Sequence, residues 1–154
     1  MVHAVMAAVQ PGEVLVLTMP EPAPVALVGD LLATQAKAHG AAAILVDASV
    51  RDREELAELG LPIWARYVRI RGAVKATPGE LDVPVEIGGT TIRPGDIVVL
   101  DADGAAVVER ERMAETLDGA RAREEAERVK RAKLQAGELS YDLDGLRAIV
   151  EEGA

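Results

Sequence analysis

Cysteine and phenylalanine are absent from the 154 residues, and the aromatic complement is Trp64, Tyr67 and Tyr141. Without cysteine there is no disulfide framework, zinc–thiolate centre, iron–sulfur cluster or thiol nucleophile. Three aromatics do not build a base-stacking platform. Basic residues are also scarce: 17 Lys and Arg stand against 26 Asp and Glu, a net charge of −9. That balance argues against a nucleic-acid partner, whose phosphates need clustered cations. Long apolar runs are missing too. AAAILV at 41–46 falls far short of the ~20 residues that span a bilayer. Residues 1–10 are apolar but lack the cationic start and small-residue cleavage site of a signal peptide. The expectation is a cytoplasmic protein with no membrane partner that binds something small.

What is present is aliphatic. Apolar residues make up 49% of the chain, so a core of Val, Ile, Leu and Ala is expected rather than disorder. The character changes near residue 110, which divides the chain into 1–109 and a helical extension, 110–154. In the first part EVLVLT (13–18), AAAILVD (41–47), IWARYVRI (63–70), VPVEI (83–87), IVVLD (97–101) and AAVVE (105–109) read as strands. PG at 11–12, a DAS turn at 47–49, GG at 88–89, PGD at 94–96 and DADG at 101–104 punctuate them. The last four strands follow one another without helices, which predicts antiparallel hairpins. Helices are expected from Gly29 to Gly40 and from Asp52 to Gly60, each closed by glycine. The pattern implies a mixed α+β assembly.

Beyond residue 110 the sequence predicts a long charged helix over 110–136, supported by Arg121–Glu125, Glu124–Arg128 and Glu127–Arg131 at i,i+4. Its apolar stripe is thin: Met113, Leu117, Val129 and Leu134. Such a helix lies on a surface or against a neighbouring subunit. A short tail helix carrying Leu143, Leu146 and Ile149 follows.

The nucleophile inventory is small: Ser49, Ser140, six Thr, two His and four Lys. GxSxG, HExxH, GxGxxG and GxxxxGK are all missing. His3 lies near the chain start and His39 at a helix end, where a histidine is a favourable terminal charge. Lys37 and Lys75 sit in polar or small surroundings that would not lower an amine pKa for imine chemistry. Two strand-to-helix junctions hold more promise. In VGDLLATQAKAHG, Gly29 allows a tight entry, and the amides of Leu31 and Leu32 open a helix whose first N–H groups lack intrahelical acceptors and attract anions. Asp30 there is equally a plain helix cap. In ILVDASVRDREELAELG, Asp52 and Glu55 form a D-x-x-E capping box, the commoner cause of that spacing, beside a loop Arg51. A functional reading requires Arg51 and Asp52 to approach the amides of Leu31 and Leu32.

These same segments carry a resemblance. GDLLATQAKAHGAAAILVDASVRD, LGLPIWAR, GAVKATPGELDVPVEIGG, IRPGDIVVLDADGAAVV and the charged helix with its tail resemble the class II pyruvate aldolases, the 4-hydroxy-4-methyl-2-oxoglutarate / 4-carboxy-4-hydroxy-2-oxoadipate aldolases. This family shares its fold with the regulators of ribonuclease activity. The resemblance runs from about residue 10 to the C-terminus in conserved motif order. It implies a β/β/α sandwich of swivelling-domain type with a long charged C-terminal helix. It further implies homotrimers or hexamers with the active site between subunits. Retro-aldol cleavage of 4-hydroxy-2-oxo acids to pyruvate, with side decarboxylation of oxaloacetate, would be the activity.

Carried onto this sequence, the resemblance implies that Asp52 binds Mg²⁺ (or Mn²⁺) directly. Arg51 would hold the 2-oxo acid and its enolate, and the Gly29–Leu32 turn would grip the carboxylate through the amides of Leu31 and Leu32. Asp30 would order metal-bound water. A glutamate of the long helix, Glu127 or else Glu124, would reach the site of an adjacent subunit. The regulators replace the acid of the Arg-Asp pair and lack the helical extension, so Arg51-Asp52 and the extension favour an enzyme here. A non-catalytic regulator acting by protein binding is the alternative. Members of the family are expected to begin several dozen residues earlier. The chemistry agrees: a pyruvate enolate needs a lysine imine or a divalent cation, no lysine is well placed, and Mg²⁺ keeps waters and needs only one or two carboxylates.

Overall fold

The computed structural model describes residues 2–21, 23–76 and 78–151. They fall into two units, Met1–Val107 and Val108–Ala154. The first opens with α1 (Val2–Ala8), then β1 (Val14–Leu17), β2 (Ala26–Val28), α2 (Asp30–Ala38), β3 (Ala43–Val50), α3 (Arg53–Leu59) and β4 (Ile63–Val68). Four short strands follow: β5 (Val85–Ile87), β6 (Thr90–Ile92), β7 (Ile97–Leu100) and β8 (Ala105–Val108).

β3 organises the unit. All eight of its residues are buried, as expected of the central strand of a parallel sheet. β4 pairs with β3 from Ile44 to Val50, while β1 pairs with Ala43–Val46 and β2 with Ser49 and Val50. Since β4 occupies one whole edge of β3, β1 and β2 share the other, one after the other. All three pairings are parallel. Leu15, Leu17, Val28, Ile44, Val46 and Ala48 form one core with Met6 of α1, Ala33 and Ala36 of α2 and Leu56 of α3. Alanines on α2 allow that helix to lie close to the sheet. Gly40 (φ +89°) ends the helix segment beside Pro11.

Several expectations change. β4 is not the start of an antiparallel run but joins the parallel sheet through α3. The predicted DAS turn at 47–49 does not exist, because β3 continues through it to Val50. β2, β6 and α1 are elements that the sequence reading does not include. The β5–β6 pair is an antiparallel hairpin, and β7 pairs with β8 across the turn at 101–104. Trp64 Nε1 donates to the Asp101 carbonyl at 2.8 Å, tying the β7–β8 pair to β4. After β4 the chain does not leave the sheet at once. Arg69 N donates to Val50 O, and the stretch 71–73 then bonds to Ala26 on β2. A strap thus passes the C-terminal end of β3.

The second unit is a 3₁₀ turn (Arg110–Arg112), the long α4 (Met113–Gln135), and short helices α5 (Ser140–Leu143) and α6 (Leu146–Glu151). The expected long helix is present, with Gly137 (φ +96°) past its end. Its ion pairs differ from those read off the sequence: Arg123–Glu127 at 2.7 Å and Arg128–Glu125 at 2.7 Å. Arg123, four residues before Glu127, engages it, and Arg128 reaches back three residues to Glu125 rather than four to Glu124.

Candidate active site at the end of β3

Two junctions converge where β2 and β3 end. Arg51 N donates to Val28 O at 3.0 Å, placing the turn after β3 against the turn after β2. Asp52 then takes a left-handed conformation (φ 57°, ψ 48°), sparsely populated for a residue with a side chain. An N-cap normally sits in the extended region so that its side chain can reach back to the helix amides. Asp52 makes no such bond. Its Oδ2 instead accepts from Asp30 N, the first amide of α2, at 3.1 Å. The capping box read from Asp52 and Glu55 is therefore not formed. Asp30 does not cap its own helix either: Gly29 holds the N-cap position, with no side-chain cap bond.

Around this contact the geometry is tight. Arg51 Nε lies 3.4 Å from Asp52 Oδ2. Both side chains remain accessible, at 47% and 33% exposure. Gly29 has an extended backbone (φ −133°, ψ −171°), so its torsions suit any residue. Space is what demands glycine: a Cβ there would clash with Asp52 Oδ2 and sit 2.9 Å from Arg51 Nε. A Cβ on Gly72 of the strap would lie 3.2 Å from Arg51 Nη1. Two glycines thus lie close against Arg51.

The first intrahelical bond of α2 is Ala33 N to Gly29 O at 3.1 Å. The amides of Leu31 and Leu32 therefore precede the ladder and remain available at the positive end of the helix dipole. Leu31 is 78% exposed. One mouth holds a guanidinium, a carboxylate with Oδ2 engaged, and helix N-terminal amides. Such a set binds a small anion beside a cation.

The donor set also tests whether a metal ion suits this place. Among the described residues no three His, Asp or Glu side chains gather into a ligand cluster. A closed, protein-ligated centre is therefore out of keeping with the residues, whereas a hydrated Mg²⁺ or Mn²⁺ that takes one or two carboxylates fits them. Glu127 belongs to the second unit, where Arg123 Nε donates to it and holds its carboxyl below the ordinary carboxylate range. Lys75 is exposed, as is His39.

Sequence reasoning missed the strap and its Gly72. The sole local sign was an Arg-Gly step at 71–72 directly after an apolar run. It also missed the role of Asp47, read as the last residue of a strand and the first of a turn. Asp47 is buried within β3, and Arg66 Nε donates to its Oδ1 at 2.5 Å.

Comparison with known proteins bears on what this site belongs to. Residues 1–107 match the RraA-like family described as Aldolase/RraA. The chain belongs to the Aldolase/RraA family. A Halalkalibacterium halodurans protein provisionally named a 4-hydroxy-4-methyl-2-oxoglutarate aldolase is 38% identical over 98 residues, covering 64% of this chain and 47% of that protein. The crystal structure of Streptomyces coelicolor RraAS2, described as an unusual member of the RNase ES inhibitor RraA family, superposes with a TM-score of 0.78 at 39% identity. That match covers 84% of this chain and 67% of RraAS2. The RNA-processing inhibitor RraA of Thermus thermophilis gives a TM-score of 0.63 at 31% identity, over 70% of this chain and 65% of that one. The chain spans about half the length of the curated relatives it matches. Among the described residues no helix is long and apolar enough to cross a membrane.

Proposed function

We propose that this chain carries the site of a divalent-metal-dependent lyase that cleaves 4-hydroxy-2-oxo acids to pyruvate. Candidate substrates are 4-hydroxy-4-methyl-2-oxoglutarate and 4-carboxy-4-hydroxy-2-oxoadipate, with decarboxylation of oxaloacetate as a side reaction. The observation that carries this reading is the meeting of Asp52 Oδ2 with the first amide of α2, 3.1 Å away. It sets a carboxylate, an arginine and anion-binding amides around one small space. The aldolase-named relatives support the same reading.

In retro-aldol cleavage the bond between C3 and C4 breaks and its electron pair passes into a pyruvate enolate. The C4 hydroxyl proton leaves as the second carbonyl forms. A Mg²⁺ or Mn²⁺ held by Asp52 would supply the positive charge that stabilises the enolate oxygen. The amides of Leu31 and Leu32 bind the substrate carboxylate, and Gly29 keeps the approach open. Arg51, close against Gly29 and Gly72, donates to the 2-oxo oxygen as negative charge grows there. Asp30 orders the water that receives the hydroxyl proton, and the same water returns a proton to C3. In an assembly of trimers or hexamers, Glu127 or Glu124 from the long helix of another copy would complete the site.

Pyruvate release tests this directly. Activity should require Mg²⁺ or Mn²⁺, vanish on chelation and survive Lys75→Ala. Borohydride trapping with pyruvate would instead reveal an imine. Arg51→Ala and Asp52→Ala should each lower turnover by about 10²–10³-fold with the fold intact, and wild-type rates in either would remove the assignment.

The RraA structures favour a second reading, a non-catalytic regulator that binds a ribonuclease. No turnover on any 2-oxo acid, with ribonuclease binding that survives Asp52→Ala, would establish it in place of the first.

A further inference from the structure

β3 is not regular where it approaches the site. Val46 pairs with Ala65 and Ser49 with Tyr67. Between those pairs Asp47 and Ala48 of β3 face the single residue Arg66 of β4. Bulges of this kind interrupt the ladder, bend the strand and re-aim the residues beyond. Here the residues beyond are Arg51 and Asp52. Ser49, Val50 and Arg51 are then pinned in turn, through Ser49 N to Val25 O, Arg69 N to Val50 O, and Arg51 N to Val28 O.

The polar side chains of β3 are concentrated in this stretch. Asp47 is buried, with its side chain 7% exposed, and is bonded to Arg66. The Ser49 hydroxyl is fully buried without a hydrogen-bond partner. A central strand of Ala, Ile, Leu and Val does not need either residue for packing. Burying a carboxylate and an unpaired hydroxyl costs stability that apolar residues of similar size would not. A device for fixing geometry explains the presence of the ion pair better than stabilisation does.

We propose that the Asp47–Arg66 pair is a positioning device. Its bond spans the step at which ladder pairing lapses, holds the bulge in one form, and so sets the Asp52 carboxylate against the amide of Asp30. Neither residue touches the reacting atoms. This placement is independent of any reaction. Its consequence for turnover alone rests on the lyase reading.

The Asp30 amide reports on the placement through its ¹⁵N–¹H resonance and its hydrogen-exchange rate. The informative variant is Asp47→Leu with Arg66→Met, which keeps the branched outline at 47 and the chain length at 66 and removes charge. We expect its melting temperature to hold or rise, while the Asp30 amide resonance shifts and exchanges at least about tenfold faster, as in Asp52→Ala, where the acceptor is gone. Arg66→Lys, which keeps the charge, should restore part of that protection. If the double variant does not fold, Asp47→Asn is read by the same amide. A folded variant with Asp30 unchanged in shift and exchange overturns the proposal. In the lyase assay the double variant should lose turnover about tenfold with the Tm retained. Wild-type protein without turnover, together with a displaced Asp30 amide in the variant, would sink the lyase reading and leave the positioning intact. Normal turnover and an unmoved amide would do the reverse.

Discussion

Residues 1–107 bury Met6, Val28, Ile44 and Val46 almost completely, whereas α4, α5 and α6 contain no buried residue. The first unit is shaped by burial: a parallel sheet with helices on it leaves β3 no alternative position. The second unit owes its form to local terms. A helix of 23 residues is long enough to be marginally stable by propensity and side-chain pairs alone, and Arg123–Glu127 and Arg128–Glu125 provide such pairs. Met113, Leu117, Val129 and Leu134 stay exposed along it. Two segments of equally regular backbone therefore differ in what holds them, and only the first resists perturbation through a core.

Ile44→Ala and Leu117→Ala break or sharpen this comparison. Ile44 is fully buried, and its truncation should cost about 2–5 kcal/mol, visible as a lower urea midpoint with unchanged slope. Leu117→Ala should stay within about 0.5 kcal/mol. An equal cost for both would mean that α4 packs on a further surface, such as a second copy. In that case the loss must depend on protein concentration.

Next in size is Gly29→Ala. Its Cβ has no room beside Asp52 Oδ2 and Arg51 Nε, so the Arg-Asp pair must move. Both side chains are partly exposed and can swing aside, so stability should fall by no more than about 1 kcal/mol. A displacement near 1 Å at the site should cut turnover by about 100-fold. Gly60→Ala provides the contrast. Its position has open space and a left-handed backbone (φ +68°), so it should lose stability without selective loss of activity. Equal activity losses for both would show that the crowding at Gly29 is not specific to the site.

The long helix, the glycine ends of α2 and α3, and the aliphatic runs of β1, β3 and β4 were all readable from periodicity and punctuation. The sites of failure are instructive. Asp47 reads as the end of a strand and the start of a turn because the strand conceals its neutralising partner, Arg66, 19 residues further along. Asp52 and Glu55 match a capping box, yet the left-handed backbone at Asp52 turns the carboxylate toward another helix. No local pattern encodes that turn. The resemblance to aldolases pointed to Arg51 and Asp52 where spacing alone favoured the cap. The meeting of Asp52 with α2 depends on β2 and β3 ending side by side, and β2 is three residues long.

The smallest expected effect belongs to the second unit and to acid. Arg123, Arg128 and Arg147 hold the carboxyls of Glu127, Glu125 and Asp142 below their ordinary range, chiefly through hydrogen bonds. A carboxyl whose folded pKa is lowered adds stability that is fully present above its unfolded value and disappears as pH falls through the folded one. The arginine partners stay charged throughout. Helicity of the second unit should therefore be constant from neutral pH to about 5 and decline below it, with the burial-supported first unit changing less over the same first steps. Because all three pairs are exposed, 1 M salt at neutral pH should reproduce part of the decline by screening. Circular dichroism at 222 nm, read beside the near-ultraviolet signal of Trp64 in the first unit, separates the two. If both signals fall together in acid, side-chain pairs are not what hold the long helix.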